Sequence, residues 1–317
     1  MDLHFTKYRV STITSNATIV FKLENTDEVL FNQISIIDQD LNIDVDNINK
    51  VFKKVDHSIK SINLIKLFNN LTIKDKSGHY LCTQRIDENG VRIVRGEYPK
   101  KRRTGSKKRT FDNQISFVFK MNEDYYPNIK VFQNGNIHIT GSRSIEDIEK
   151  PLQVLIEEIK RIYNDVDKDI IEFDDIININ RLEYSDIQIF MINTDFKIFT
   201  DQEKKNNFTI KRRVLHDLLI QDDKVIARFD PATYPGVKIE YWWDKSSVER
   251  NGSLHLDKRN VKSKSTIKDG IKKVTIAVFE SGSVLITGAV SIEQVDEAYE
   301  YICKVLNENK EKIYFNM

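Results

Sequence analysis

Cysteine is nearly absent. The 317-residue chain has two, Cys82 and Cys303, far apart, which argues against a disulfide framework or a cysteine-based zinc site and fits a reducing compartment. Cys303 falls on an apolar helical stripe and reads as a small core residue. Histidine is sparse as well. His4, His57, His79, His138, His216 and His255 show no metal-ligand spacing, so no metal is expected. P-loop, G-x-S-x-G and paired-carboxylate motifs are missing. No catalytic residue and no cofactor is therefore expected, and the chain reads as a non-enzyme. No apolar run reaches 18 residues, so no membrane partner is expected. The opening MDLHFTKYRV lacks the apolar core of a signal peptide. Charge of one sign is missing too. The 49 Lys and Arg balance 48 Asp and Glu to a net +1, so the chain as a whole is not a basic binder.

What is present is a passage written twice. Residues 131–146 read VFQNGNIHITGSRSIE, and 147 residues later 278–293 read VFESGSVLITGAVSIE. Two related halves follow from a repeat of this length. Each copy opens on strand-like alternation, turns at Asn134-Gly135 or Ser281-Gly282, and continues as a second strand. Ser144 and Ser291 then stand as helix N-caps, with Asp147 and Gln294 three residues on. Apolar stripes follow at helical spacing: Ile145, Ile148, Leu152, Leu155, Ile156 and Ile159 in one copy, Ile292, Val295, Tyr299, Ile302, Cys303 and Leu306 in the other. Pro151 is awkward inside the first helix and is expected to kink it.

Each unit is thus a hairpin feeding an amphipathic helix, and the helix must cover one sheet face. Val274, Ile276, Val278, Val284 and Ile286 are its partners in the second copy; Ile129, Val131, Ile137 and Ile139 are in the first. The opposite face carries Thr275, Ala277, Phe279, Leu285 and Thr287, or Lys130, Phe132, His138 and Thr140. From the pattern alone a solvated sheet face comes first, with a contact surface as the rival.

Around these units, strands are expected at 10–23, 114–121, 176–192 and 237–243, and helices near 46–54, 61–70 and 209–221. Hairpin-like connections make the sheet antiparallel, with helices on one face, an α+β arrangement. Charge is clustered. Lys100, Lys101, Arg102, Arg103, Lys107, Lys108 and Arg109 form a dense basic run, a looser one spans 258–273, and acid collects at 38–46 and 164–175. Basic runs fit solvated loops, localisation signals or nucleic-acid contact.

FDPATYPG (229–236), VTIAVFESGSVLITGA (274–289) and EAYEYICKVL (297–306) together resemble the second repeat of the TATA-binding protein core. KVFQNGNIHITG with SIEDIE resembles the first repeat, RVSTIT (9–14) its opening strand, and INRLEYSDI (179–187) the matching strand of the second repeat. The resemblance implies a saddle: two pseudo-symmetric repeats forming one curved antiparallel sheet with helices on the convex face. The repeats would span 1–165, with an insertion at about 37–110, and 166–317, with a stirrup insertion at about 244–271.

It also implies a transcription-initiation factor that binds and bends A·T-rich promoter DNA through the minor groove. Its partners would be a B-type general initiation factor and RNA polymerase. Minor-groove wedging is a property for which this family is itself the type example. The resemblance assigns Phe132, Phe279 and Tyr234, beside Pro235, to wedges. Thr140, Thr287, Val10 and Leu182 go to the groove floor, Asn180 to base acceptors and Lys120 to phosphate; Thr12, Ala277 and Leu285 join the expected DNA-binding face, where His138 reads as a groove-floor or solvent residue. Tyr8 replaces a second central asparagine, and Glu240 stands where the family has an arginine. The rival reading is an adaptor that has lost strong DNA binding. Such factors act inside the cell: in the nucleus or, for a large DNA virus, in the viral factory or virion.

Overall fold

The computed structural model describes residues 3–22, 57–71, 80–81, 84–87, 90–93, 113–120, 127–173, 178–200, 208–221, 225–247, 251–252 and 270–316. The basic run 100–109 and the helix expected near 46–54 lie outside them. In chain order the principal elements are β1 (Arg9–Phe21), α1 (Leu64–Asn70), β2 (Tyr80–Leu81), β3 (Gln114–Lys120), β4 (Asn128–Phe132), β5 (Asn136–Ser142), α2 (Glu146–Asp165), β6 (Leu182–Tyr184), β7 (Gln188–Phe199), α3 (Arg212–Gln221), β8 (Ile226–Arg228), β9 (Val237–Asp244), β10 (Ile271–Val278), β11 (Ser283–Ala289) and α4 (Ile292–Glu308). The chain folds into two compact units. One is Ser15–Gln188; the other is Met1–Thr14 with Ile189–Met317.

In the first unit the strands run β1–β5–β4–β3–β2, and in the second β7–β11–β10–β9–β8. The pairings from β5 through β2 and from β7 through β8 are antiparallel. The duplicated hairpin is thus flanked by matching strands in matching order, and each half is α+β. The two hairpins turn at glycines with φ of +82° and +76°, Gly135 and Gly282, where a side chain would be strained.

The helix-covered faces are those the alternation selects. Ile129, Val131 and Ile139 in one unit, and Val274, Ile276, Val278, Val284 and Ile286 in the other, are fully buried. Ile148, Leu152, Leu155 and Ile159 of α2, and Val295, Ile302 and Leu306 of α4, complete these layers. Each such side chain stabilises its layer by about 1.5–3 kcal/mol relative to exposure.

Both helices begin on reciprocal hydrogen bonds. Asp147 N donates to Ser144 Oγ (3.1 Å) while Ser144 N donates to Asp147 Oδ2 (3.1 Å), so the shorter carboxylate still closes a capping box. Gln294 N donates to Ser291 Oγ (3.4 Å), and the Gln294 amide oxygen reaches back one residue further, to Val290 N (2.8 Å). Pro151 sits on the buried face, in the second turn of the uninterrupted helix α2.

Three local expectations change. The segment 61–70 is a two-residue strand, Ser61–Ile62, followed by α1, whose N-cap Asn63 accepts from Lys66 N. Residues 208–210 form a strand, and only Arg212–Gln221 is helical. The opening strand of the second unit is β7, not 176–192. Residues 179–181 are a 3-10 turn capped by Asn178, and β6 pairs with the far end of β1 through Leu182↔Phe21.

Candidate nucleic-acid interface

The faces not covered by helices carry the side chains of interest. In the second unit an aromatic pair stands at one end. The Tyr234 and Phe279 rings lie 5.6 Å apart, tilted by 57°. Sequence builds this pair in three steps. Asp230 closes the preceding turn, accepting from Ala232 N (3.1 Å) and Thr233 Oγ1 (2.9 Å). Arg212, at the start of α3, donates to the carbonyl of Pro235, pairs with Glu280 and lies over the Phe229 ring. Gly236 leaves room for both rings: a Cβ there would come within 2.9 Å of Tyr234 Cε1 and 3.2 Å of Phe279 Cε1. Both rings are half-buried, and partial burial raises the Tyr234 phenol above its usual pKa. Lys238 Nζ sits 3.9 Å from the centre of the Tyr234 ring, a cation–π contact that places positive charge beside the pair.

Behind this pair lies a floor of small and branched residues. Thr275 is the register partner of Thr287, and Ala277 of Leu285. Thr275, Thr287 and Leu285 are partly exposed, whereas Ala277 is almost covered by its neighbours. β7 adds Asn193, opposite Thr287, and Asp195, opposite Leu285; a bulge at Gly288 shifts the register between Ile192 and Asn193. Asn193 Nδ2 donates to Thr12 Oγ1 at 3.1 Å, while its Oδ1 has no partner among the described residues. Val10 and Thr12 are partly exposed on β1.

The sequence reading did not single out Asn193, which the structure places on the uncovered face beside Thr12. Asn180 is an exposed residue of the 3-10 turn, whereas Leu182, expected on the uncovered face, is fully buried beneath α2. The missed signal was the alternation Ile192, Thr194, Phe196, Ile198, all buried, with Asn193 and Asp195 between them. Tyr8 is also displaced. Its hydroxyl donates to Asp296 of α4 (2.5 Å) and its ring meets Tyr299 edge-on, so it packs on the helical side.

Acid on this face is neutralised locally. Asp195 pairs with Arg9 at 2.7 Å, and Glu240 with Arg228 at 3.5 Å and Lys273 at 3.8 Å. The two tryptophans divide. Trp243 is buried with the core, whereas Trp242 lies on the uncovered face, its ring 6.0 Å from Lys273 Nζ.

The first unit offers the equivalent positions with different chemistry. Phe132, Thr140 and His138 are partly exposed there. Gln114 is the register partner of Phe132, but the adjacent Ile115 points into the core and is buried. The Lys120 backbone occupies the end of β3, paired with Tyr80.

The chain has similar proteins elsewhere. The family "Transcription factor TFIID (or TATA-binding protein, TBP)" matches residues 260–309. A "TATA-box-binding protein-like" protein of Acanthamoeba polyphaga mimivirus is 30% identical over 209 residues, 65% of this chain and 50% of that protein. The chain is similar to TATA-binding proteins. It spans about half the length of the mimivirus relative. A solved structure, Methanococcus jannaschii TBP, aligns at 13% identity with a TM-score of 0.42, covering 96% of this chain and 99% of that one. Among the described residues no cluster of His, Cys, Asp or Glu could hold a metal ion, and no helix is long and apolar enough to cross a membrane.

Proposed function

We propose that this TATA-binding-protein-like chain is a transcription-initiation factor that binds double-stranded DNA through the minor groove with its uncovered sheet faces. The supporting observation is the Tyr234–Phe279 pair, held at a face edge by Gly236 and Arg212 and followed by a floor of Thr275, Ala277, Leu285 and Thr287. Aromatic rings at the end of such a floor can wedge between base steps, and the floor fits A·T pairs, which present no protruding amino group. Bending of A·T-rich promoter DNA and recruitment of a B-type initiation factor and RNA polymerase complete the reading. The work is done inside the cell, in the nucleus or a viral factory.

One observation favours a second reading, an adaptor working by protein contacts. Asp195 and Glu240 place carboxylates on a face that would meet a polyanion. Binding to A·T-rich and G·C-rich duplexes with fluorophores at both ends, across a salt series, separates the two. A weak, unbent, sequence-independent complex would refute DNA bending and leave the adaptor.

A further inference from the structure

Among the differences between the two uncovered faces is one matched pair of positions. Ile19 N donates to Gly135 O at 2.9 Å, just as Ile198 N donates to Gly282 O at 2.9 Å. β1 and β7 therefore lie in the same register against equivalent hairpins. That correspondence matches Asn16 with Asp195, and the sequence repeat matches His138 with Leu285. In the second unit Leu285 offers a partner no hydrogen-bonding atom, and Asp195 is engaged by Arg9.

In the first unit His138 Nδ1 lies 2.7 Å from Asn16 Oδ1. An amide oxygen can only accept, so Nδ1 carries the proton and the neutral ring presents Nε2 as an acceptor. Burial, and secondarily the charge of Lys130, its register partner, hold His138 below the usual imidazole pKa and so keep the ring neutral. His138 and Asn16 line an open hollow of about 530 Å³ together with Phe132 and Asn136, so a ligand can reach the pair.

In the minor groove A·T and T·A pairs present acceptors only. The guanine N2 amino group is the one donor a G·C pair adds. Leu285 has nothing to receive it; His138 Nε2 does. We propose that His138, oriented by Asn16, is a base-reading residue that accepts a hydrogen bond from a guanine amino group, so that the DNA under the first unit includes a G·C pair. The inference rests on the minor-groove reading of these faces.

The test scans a single G·C pair through an A·T-rich duplex, measuring affinity of the full chain, and repeats it with inosine, which lacks only the N2 amino group. At one position G·C should bind about tenfold tighter than I·C, the discrimination of one good base contact. His138→Leu, which copies the second unit, should abolish that preference. Wild-type binding of I·C as tight as G·C at every position would overturn this inference while leaving minor-groove binding standing. Binding to no duplex would overturn both. The inosine comparison uses the unaltered protein, so it does not depend on how the variant folds.

Discussion

Replacing Gly236 with alanine separates the fold from the wedge. The new Cβ would stand 2.9 Å from Tyr234 Cε1 and 3.2 and 3.3 Å from two carbons of Phe279. Carbon pairs settle at about 3.5–4.0 Å, so the tyrosine ring must retreat by about 0.6 Å or more and the pair must part. A tilted aromatic pair is worth about 0.5–1.5 kcal/mol beyond its burial. Against that, alanine restricts the unfolded chain and returns about 0.4–1 kcal/mol, since Gly236 is not in the left-handed region. The two terms nearly cancel. Thermal melting should therefore move by only a few degrees.

Bending should respond differently. Opening a base step costs a few kcal/mol, which only a ring in the right place offsets. End-to-end fluorescence transfer on an A·T-rich duplex should show a clear loss of bend for Gly236→Ala, comparable to that of Phe279→Ala. An unchanged bend with an unchanged melt would refute the assignment of this pair to DNA. A melt lowered by more than about 10 °C would instead assign the rings to the core.

Two further outcomes follow from the second unit. Ser291→Ala removes the oxygen that accepts from Gln294 N and should cost about 1 kcal/mol in a urea titration; no loss would mean that Gln294 and Val290 close the helix end unaided. Burial holds the Cys303 thiol up at about 12 against an ordinary 9.0, and, with burial again the first cause, Tyr8, Tyr299 and Tyr301 at about 12 against 10.0. Each folded group keeps its proton more tightly than the unfolded one, so its contribution is whole below its ordinary pKa and is lost as pH rises to about 12. Urea midpoints should fall from about pH 9 upward, and Cys303→Ala should delay the onset to about pH 10; an onset unmoved by that change would show that the thiol is not linked to folding.

The hairpin-plus-helix unit was legible because its two periods are strict: Val278 is core and Phe279 is not, and a one-residue slip would have exchanged them. The antiparallel sheet followed from hairpin connections, whereas the placing of β1 beside β5 and of β7 beside β11 did not. The opening of the second half was misread because two apolar segments, 179–184 and 188–199, follow closely. Asn178 caps a tight turn at the first, Leu182 sinks under α2 while β6 pairs with the far end of β1, and β7 is the segment that pairs with the duplicated hairpin. Asn193 was invisible for the same reason, since its place on the uncovered face depends on which segment enters the sheet. The contacts of Gly236 with Phe279, of Arg212 with Pro235 and of His138 with Asn16 join residues 43, 23 and 122 positions apart, and no local pattern encodes them.

The charge on the uncovered face bears on where affinity originates. Arg9, Arg228 and Lys273 are engaged with Asp195 and Glu240, exposed or half-exposed pairs worth at most about 1 kcal/mol each, so their fields largely cancel at a distance. Lys238 is committed to the Tyr234 ring. On the proposed minor-groove reading, phosphate attraction then has to draw on other bases as well, and the densest source in the sequence is the run of seven between Lys100 and Arg109. Each phosphate these residues neutralise should add about 0.9 to the slope of log affinity against log salt. Replacing all seven with glutamine should therefore flatten that slope by several units while leaving the bend of the residual complex intact, because the rings of Tyr234 and Phe279 are untouched. A slope that survives the replacement would return the phosphate contacts to the sheet faces, and the paired acids would then have to separate from their bases when DNA binds.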